Sequence, residues 1–258
     1  MNNKNNSLKR SLNLPLITFY GLGNILGAGI YVLVGKVAGE AGYFAPLSFF
    51  IASLVAAISA LTYAELSARY PVSAGEAVYL YEGFQLRWLS MVVGLLIVSA
   101  GIVSSAAIAH GFAGYLKATL IDFIPAFQAV PSVAIIAILL CLLGALAVWG
   151  ISQSVKVAAA FTLLEIAGLC LIIWLGIDHL SVAPPVVQAV SESTGHFSFV
   201  GIFAGSFLAF YAYLGFEDMV NVAEEVRDPQ RTMPRAIFLA VIISTLLYAG
   251  VEIGRAHV

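Results

Sequence analysis

A run of small residues interrupts an apolar stretch near the start of the chain. It reads YGLGNILGAGIYV and contains Gly23, Gly27 and Gly29. Because a glycine inside a helix costs roughly 1 kcal/mol relative to alanine, we expect the helix to break here. The alternative is close helix packing, since small residues at four-residue spacing let two backbones approach. A break would free main-chain N–H groups at the start of a half-helix, and such groups bind carboxylates.

A second interruption lies about 190 residues later. Tyr211, Tyr213 and Gly215 occupy the middle of an apolar stretch, and Glu217 and Asp218 follow at once. Acidic residues are costly in lipid, so we expect this pair to face protein or a water-filled cavity. A break here would expose main-chain carbonyls, which accept hydrogen bonds from an ammonium group. Together the two breaks predict a receptor for a zwitterion, such as an amino acid.

Other candidate residues are single side chains. Glu165 lies deep inside an apolar run, where an ionisable group is a functional candidate; the alternative is a structural hydrogen bond to a neighbouring helix. Glu217 is a candidate for a functional role, with a structural cap or a partner for Arg235 as its alternative. His110 has no HExxH or paired-aspartate pattern around it, and Cys141 and Cys170 lie in apolar runs that argue against disulfides and metal clusters. We therefore predict no metal, no cofactor and no catalytic residue, so the chain is not expected to be an enzyme.

The composition defines the environment of the protein. Of the 258 residues, 61% are hydrophobic and only 10% are charged, and the mean hydropathy is +0.97. A soluble domain carries roughly 25% charged residues. With so few charges, most of the exterior must face the lipid bilayer, and no nucleic acid partner is expected.

Seven stretches are long and apolar enough to cross a bilayer as helices, which requires roughly 20 residues each. They are far longer than the roughly ten residues of a barrel strand, so the predicted fold is an all-α integral membrane bundle. The predicted spans are 12–36, 43–68, 88–117, 130–149, 155–177, 198–223 and 234–253.

The basic residues predict the orientation. With a cytoplasmic N-terminus, nine Lys and Arg residues lie on the inner side and two on the outer side, which is a strong positive-inside bias. We therefore expect a multi-pass protein with a cytoplasmic N-terminus, and the short tails fit the cell (inner) membrane. The inner residues are Lys4, Lys9, Arg10, Arg69, Arg87, Lys156, Arg227, Arg231 and Arg235, and the outer ones are Lys36 and Lys117.

The two breaks fall in the first and sixth spans, which cross the membrane in opposite directions. This matches an inverted repeat of five helices with the binding site where the repeats meet. We expect a cytoplasmic tail at 1–11 and transmembrane helices one to seven of a transporter core at 12–251. A reverse translation of residues 252–258 resembles a sequencing adapter, so we expect a non-native tail there. The chain is thus expected to be a truncated transporter that does not transport alone.

Three motifs carry a resemblance to a known family. Each lies on the expected element and in the expected order, and the sequence resembles the amino acid–polyamine–organocation superfamily of transporters over essentially all of residues 12–250. The motifs are GNILGAGIY at 23–31, YAELSARYPVSAGEAVYLYEGF at 63–84 and GFEDMVNVAEEVRDPQRTMPRAI at 215–237.

The resemblance implies a five-plus-five inverted-repeat fold and a function. Members exchange amino acids or import them with protons by alternating access, so an amino acid is the expected substrate and protons are candidate coupling ions. By resemblance, the main-chain N–H groups of Ala28, Gly29 and Ile30 would hold the substrate carboxylate.

The ammonium end has its own predicted ligands. By resemblance, it would be held by the carbonyls of Ile25, Tyr211 and Leu214, and Tyr211 would close over the substrate. Gly27 and Gly215 complete the predicted binding set.

Two features depart from the family pattern or leave it open. Glu165 stands near the position of a lysine in several proton-coupled members, so coupling by proton symport or by exchange stays open, and Glu217 matches an acidic position linked to gating or coupling. Ala74-Gly75 replaces the usual Gly-Gly.

A channel or a non-transporting sensor of the same fold is the alternative function. The particular amino acid is not readable from the sequence, although neutral ones are weakly favoured.

Overall fold

The computed structural model describes residues 10–73, 75–177 and 199–255. Within these ranges the regular structure is helical, joined by turns, short 3-10 segments and an isolated main-chain bridge, which confirms the predicted all-α class. The helices are α1 (Leu14–Ala41), α2 (Ala45–Arg69), α3 (Gly75–Phe84), α4 (Arg87–Ile121), α5 (Ser132–Trp149), α6 (Ile151–Ile177), α7 (Phe199–Tyr211) and α8 (Pro229–Arg255).

Six of the seven predicted spans correspond to helices that are long and apolar enough to cross a membrane. Five are continuous, and the sixth is α1, whose two parts bend by 43°. The sixth predicted span, 198–223, differs: its helix ends at Tyr211, and a 3-10 segment, Glu217–Glu225, occupies its second half. After the second predicted span the chain forms a further helix, α3, that is not among the predicted spans.

The chain divides into two compact units. One contains Met1–Gly75 and Val155–Val258, and the other contains Glu76–Ser154. In the first unit α1 and α2 both pack against α7 and α8. In the second unit α4 packs against α5, and the Ser90 hydroxyl donates a 2.6 Å hydrogen bond to the Ala77 carbonyl of α3.

Small residues form the contact between α2 and α7. The buried face of α2 repeats alanine and serine at helical spacing, which lets the helices approach closely. The Ser48 hydroxyl donates to the Ile202 carbonyl at 3.0 Å. A Cβ on Gly205 would stand only 2.8 Å from the Ser48 hydroxyl oxygen, so glycine is the residue that fits there. This packing holds α7 against α2 and thereby positions the end of α7 at Tyr211.

The residues before α1 are anchored by main-chain hydrogen bonds, which we call the N-terminal clasp. The N–H groups of Ser11 and Leu12 donate to the Glu225 carbonyl at 2.9 and 3.0 Å, and the Arg227 N–H donates to the Leu12 carbonyl at 2.8 Å. Leu12 is fully buried and pairs with Val226 in a parallel bridge. The clasp therefore joins the start of α1 to the segment that follows α7.

Candidate functional site

The first break lies inside α1, as predicted. Gly27 has φ −12° and ψ −161°, which is not helical, and the axis bends by 43° between Leu14–Gly27 and Gly29–Ala41. The first residues of a helical segment have N–H groups without a carbonyl partner one turn earlier. The break therefore places the start of a helical segment inside the apolar stretch.

The second break follows α7, also as predicted. After Tyr211 the backbone continues in turns: the N–H groups of Ala212 and Tyr213 each bond three residues back at 3.0 Å, and that of Leu214 bonds to Tyr211 at 3.4 Å. Gly215 then adopts φ +128°, a conformation that side chains rarely permit. Continuous α-helix does not resume until α8, so this interruption is longer than the short break that the sequence predicted.

The two breaks contact each other through their main chains. A Cβ on Gly29 would stand 3.5 Å from the Ala212 Cα and 4.0 Å from the Tyr211 carbonyl oxygen. A Cβ on Gly215 would stand 2.5 Å from the Asn24 carbonyl oxygen. The glycines thus allow main-chain groups from distant parts of the sequence to lie side by side.

Glu217 caps the second break. Its Oε2 accepts a 2.7 Å hydrogen bond from the Gly215 N–H. A carboxylate that accepts from a backbone N–H makes one of the stronger types of hydrogen bond. The structural cap weighed as the alternative for Glu217 is therefore present, and its predicted role in gating or coupling stays a prediction.

Glu165 lies on a helix that packs against α1. The Thr162 hydroxyl, one turn before it, lies 3.3 Å from the Phe19 carbonyl. Glu165 is half-buried, and one turn later on the same helix a Cβ on Gly168 would stand 3.7 Å from the Tyr31 hydroxyl oxygen. The structure thus brings Glu165 into the neighbourhood of the breaks without assigning its role.

The other predicted site residues all lie at the two breaks. Ile25 and Ile30 are buried on either side of the first break, whereas Tyr211 and Leu214 at the second are 51% and 37% exposed. The Tyr211 ring packs edge-on against Phe207, with the ring centroids 5.3 Å apart. Their roles in substrate binding remain predictions.

Sequence reasoning missed one residue that contacts both breaks. The hydroxyl oxygen of Tyr248, on α8, lies 2.8 Å from the Ile25 carbonyl oxygen and 2.8 Å from the Ala212 carbonyl oxygen. The signal available was the residue type, because a buried tyrosine hydroxyl usually finds a hydrogen-bond partner. The sequence could not identify that partner.

A family model described as amino acid permease matches residues 12–254. The chain belongs to the amino acid permease family. Together with the long apolar helices, this membership makes it a multi-pass membrane protein, and the relatives that it matches are named transporters and permeases. The match includes three residues, 252–254, of the segment expected to be non-native.

Similar proteins differ in the substrates that their names state. The chain is 36% identical to the vacuolar cationic amino acid transporter 4 of Arabidopsis thaliana, over 93% of this chain and 42% of that protein. It is 31% identical to a methylthioribose transporter of Bacillus subtilis, over 97% and 55%. It is 28% identical to a branched-chain amino acid permease of B. subtilis, over 95% and 54%. The chain thus spans about half the length of these relatives.

Proposed function

We propose that this chain forms part of a secondary active transporter that moves amino acids across a membrane by alternating access. The observation that carries the proposal is the contact between the two breaks, where Gly29 lies beside Ala212 and Gly215 beside Asn24. This contact places the start of one half-helix next to the end of another helix. Main-chain donors and main-chain acceptors are therefore close enough together to serve the two charged ends of one small zwitterion.

The carboxylate is bound at the first break. The half-helix Gly29–Ala41 begins there, so the N–H groups of Ala28, Gly29 and Ile30 are the donors. A helix start favours an anion both through these unpaired donors and through the helix dipole. No basic side chain is needed for this interaction.

The ammonium group is bound by main-chain carbonyls of both breaks. The carbonyls are those of Ile25 on α1 and of Tyr211 and Leu214 beyond α7. Each carbonyl oxygen has two lone pairs, so the bond that Ile25 already accepts leaves it able to accept a second. In this proposal the Tyr211 ring, which is 51% exposed, covers the substrate from one side.

Amino acid transport is driven either by proton symport or by exchange for another amino acid. In proton symport, carboxyl groups of the protein carry the proton. Glu217 accepts the Gly215 N–H, so protonation of Glu217 would weaken that bond and loosen the second break. Glu165, half-buried on α6, is the other candidate carrier. Exchange would require neither group to change its protonation during the cycle.

A neutral sugar derivative is the second candidate substrate. One relative is named a methylthioribose transporter, and methylthioribose carries neither a carboxylate nor an ammonium group. Such a substrate would use the main-chain groups of the breaks as ordinary hydrogen-bond partners for its hydroxyls.

Uptake into liposomes tests the proposal. The complete gene product that contains this chain would be reconstituted and supplied with radiolabelled alanine, leucine, arginine or methylthioribose, with and without an inward proton gradient. We expect saturable uptake of at least one amino acid, accelerated by unlabelled amino acid inside. Stimulation by the gradient indicates symport, and strict dependence on internal substrate indicates exchange.

Three results would contradict the proposal. Uptake of methylthioribose alone would replace the substrate class. Flux that does not saturate would indicate a channel, and binding without flux would indicate a sensor. Liposomes without protein provide the background.

We further propose an N-terminus in the cytoplasm and a location in the cell (inner) membrane. The unequal distribution of Lys and Arg along the sequence supports the orientation, and the multi-pass membrane character of the chain is compatible with the location. A reporter that folds only in the cytoplasm, fused before residue 1, should be active. An inactive reporter on a correctly inserted protein would reverse the orientation.

A further inference from the structure

A single hydroxyl group connects the two breaks. Tyr248 is fully buried, and its hydroxyl oxygen lies 2.8 Å from the carbonyl oxygens of both Ile25 and Ala212. A tyrosine hydroxyl has one proton to donate, so the two carbonyls share it. The carbonyl of one broken helix is thereby held next to the carbonyl of the other.

The ring of Tyr248 is fixed by its neighbours. Phe49 of α2 packs against it with a centroid separation of 5.8 Å and an interplanar angle of 67°. Tyr213, from the turn after α7, packs against it at 5.1 Å and 69°. Because aromatic contacts of this edge-to-face kind hold a ring in place, the hydroxyl has a defined position between the breaks.

We infer that Tyr248 is a positioning residue that sets the separation of the two breaks and so determines the affinity for the ammonium end of the substrate. The inference rests on the proposed function, in which the Ile25 carbonyl is one of the ammonium ligands. The hydroxyl orients this carbonyl through one lone pair and leaves the other for the substrate. It acts through the main chain of the breaks and needs no contact with the substrate.

The alternative is that Tyr248 contributes only its ring to packing. Tyr248→Phe separates the two possibilities, because it keeps the ring and removes the hydroxyl. A packing role predicts no change in substrate affinity, whereas the positioning role predicts a loss, since two buried carbonyls lose their shared donor.

The chain offers a matched control in Tyr213→Phe. Tyr213 is equally buried and belongs to the same aromatic cluster. Its hydroxyl oxygen is buried and makes no hydrogen bond among the described residues. This substitution removes the same atom from the same aromatic cluster and takes no hydrogen-bond donor away from the Ile25 and Ala212 carbonyls.

The first measurement is transport by the complete gene product in liposomes. For the amino acid that the wild type transports, Tyr248→Phe should raise KM by about tenfold or more, with the maximal rate per folded molecule within about twofold. Tyr213→Phe should leave KM within about twofold of the wild type. An unchanged KM in Tyr248→Phe, or an equal rise in both variants, would overturn the inference while leaving the proposed function intact.

The second measurement needs no substrate. Hydrogen exchange of the main-chain N–H groups at 26–30 and 211–216 should accelerate in Tyr248→Phe and not in Tyr213→Phe. If the wild type transports no amino acid, the proposed function fails, and this exchange result alone decides whether Tyr248 ties the breaks together. Unchanged exchange in both regions would show that the Tyr248 hydroxyl does not hold the two breaks together.

A second variant covers the case in which Tyr248→Phe does not fold. Fluorinated tyrosine incorporated at position 248 keeps the ring and the hydroxyl but ionises at a much lower pH. An ionised oxygen cannot donate to either carbonyl, so substrate affinity should fall at a pH at which the wild type is unaffected. Where ultraviolet absorbance of the phenolate shows that the fluorinated ring has ionised, an unchanged substrate affinity would count against the inference.

Discussion

The main chain of Asn24 occupies the space that a side chain at Gly215 would need: a Cβ on Gly215 would stand 2.5 Å from the Asn24 carbonyl oxygen and 2.6 Å from its carbonyl carbon. Both obstructing atoms belong to the backbone, so no rotamer change can relieve the contact. The φ of +128° at Gly215 adds conformational strain for other residues.

Gly215→Ala should therefore destabilise the protein. Overpacking against a backbone costs about 1–3 kcal/mol, and thermal unfolding of the detergent-solubilised complete gene product should show a lower Tm together with lost substrate binding. Gly101→Ala is the matched control, because a Cβ on that α4 glycine would meet nothing within 4 Å. It should be neutral or stabilising by up to about 1 kcal/mol. Equal Tm values for Gly215→Ala and the wild type would refute this prediction.

Gly29→Val should abolish substrate binding with a smaller effect on folding. A Cβ at Gly29 meets the Ala212 Cα at 3.5 Å, an ordinary contact, so it is the two further methyl groups of valine that would separate the breaks. Gly29→Ala is the graded control and should retain part of the affinity. Equilibrium binding of the radiolabelled substrate measures both variants, and wild-type affinity in Gly29→Val would count against a site at the first break.

Leu12→Ala should release the N-terminal clasp. Truncation of a fully buried leucine costs about 2–5 kcal/mol of stability. The destabilised segment is the one whose Leu12 carbonyl accepts the hydrogen bond from the Arg227 N–H. Hydrogen exchange at 225–228 should accelerate. Leu95→Ala on α4, where the side chain is 64% exposed, should leave that exchange unchanged. Protection at 225–228 that survives Leu12→Ala would show that the clasp does not depend on this side chain.

Glu225→Gln should stabilise the protein at alkaline pH. Burial, together with the nearby charge of Glu224, raises the pKa of Glu225 above its usual value. A raised folded-state pKa means that the folded protein holds this proton more tightly, so stability is highest below the unfolded-state pKa and falls as the pH rises through the folded-state pKa.

The gain from Glu225→Gln should be below about 1 kcal/mol, because the side chain is only partly buried and water screens its charge. Thermal unfolding at pH 8 and pH 4 measures it, with the gain confined to pH 8. Glu224→Gln should give a smaller gain of the same sign, since it removes only the neighbouring charge. The same gain at both pH values would exclude a titration effect.

The sequence predicted the two breaks because their causes are local. The glycines around Gly27 weaken the first helix, Gly215 adopts a positive φ that other residues resist, and the acidic residues after Gly215 disfavour continuation through lipid. Helix ends were less predictable. α1 continues through Gly39 to Ala41, and the residues from Glu217 form 3-10 turns. The sequence did not predict these ends, because apolar periodicity does not show where a helix stops.

The role of Tyr248 could not be predicted, because its causes are not local. Its hydroxyl partner on α1 is 223 residues away in the chain, and no spacing within α8 indicates which of its residues meets a distant carbonyl. The sequence likewise contains no pattern that pairs Leu12 with Val226. Contacts of this kind depend on the packing of whole helices.

The N-terminal clasp has a mechanical consequence for the two broken helices. Leu12 leads directly into the first half of α1, and Val226 ends the segment that begins at the second break. Main-chain hydrogen bonds join these two segments. A rotation of the first half of α1 about Gly27 would therefore either move the segment that ends at Val226 with it or break the three hydrogen bonds. In the proposed transport cycle these two segments would therefore move together rather than one at a time.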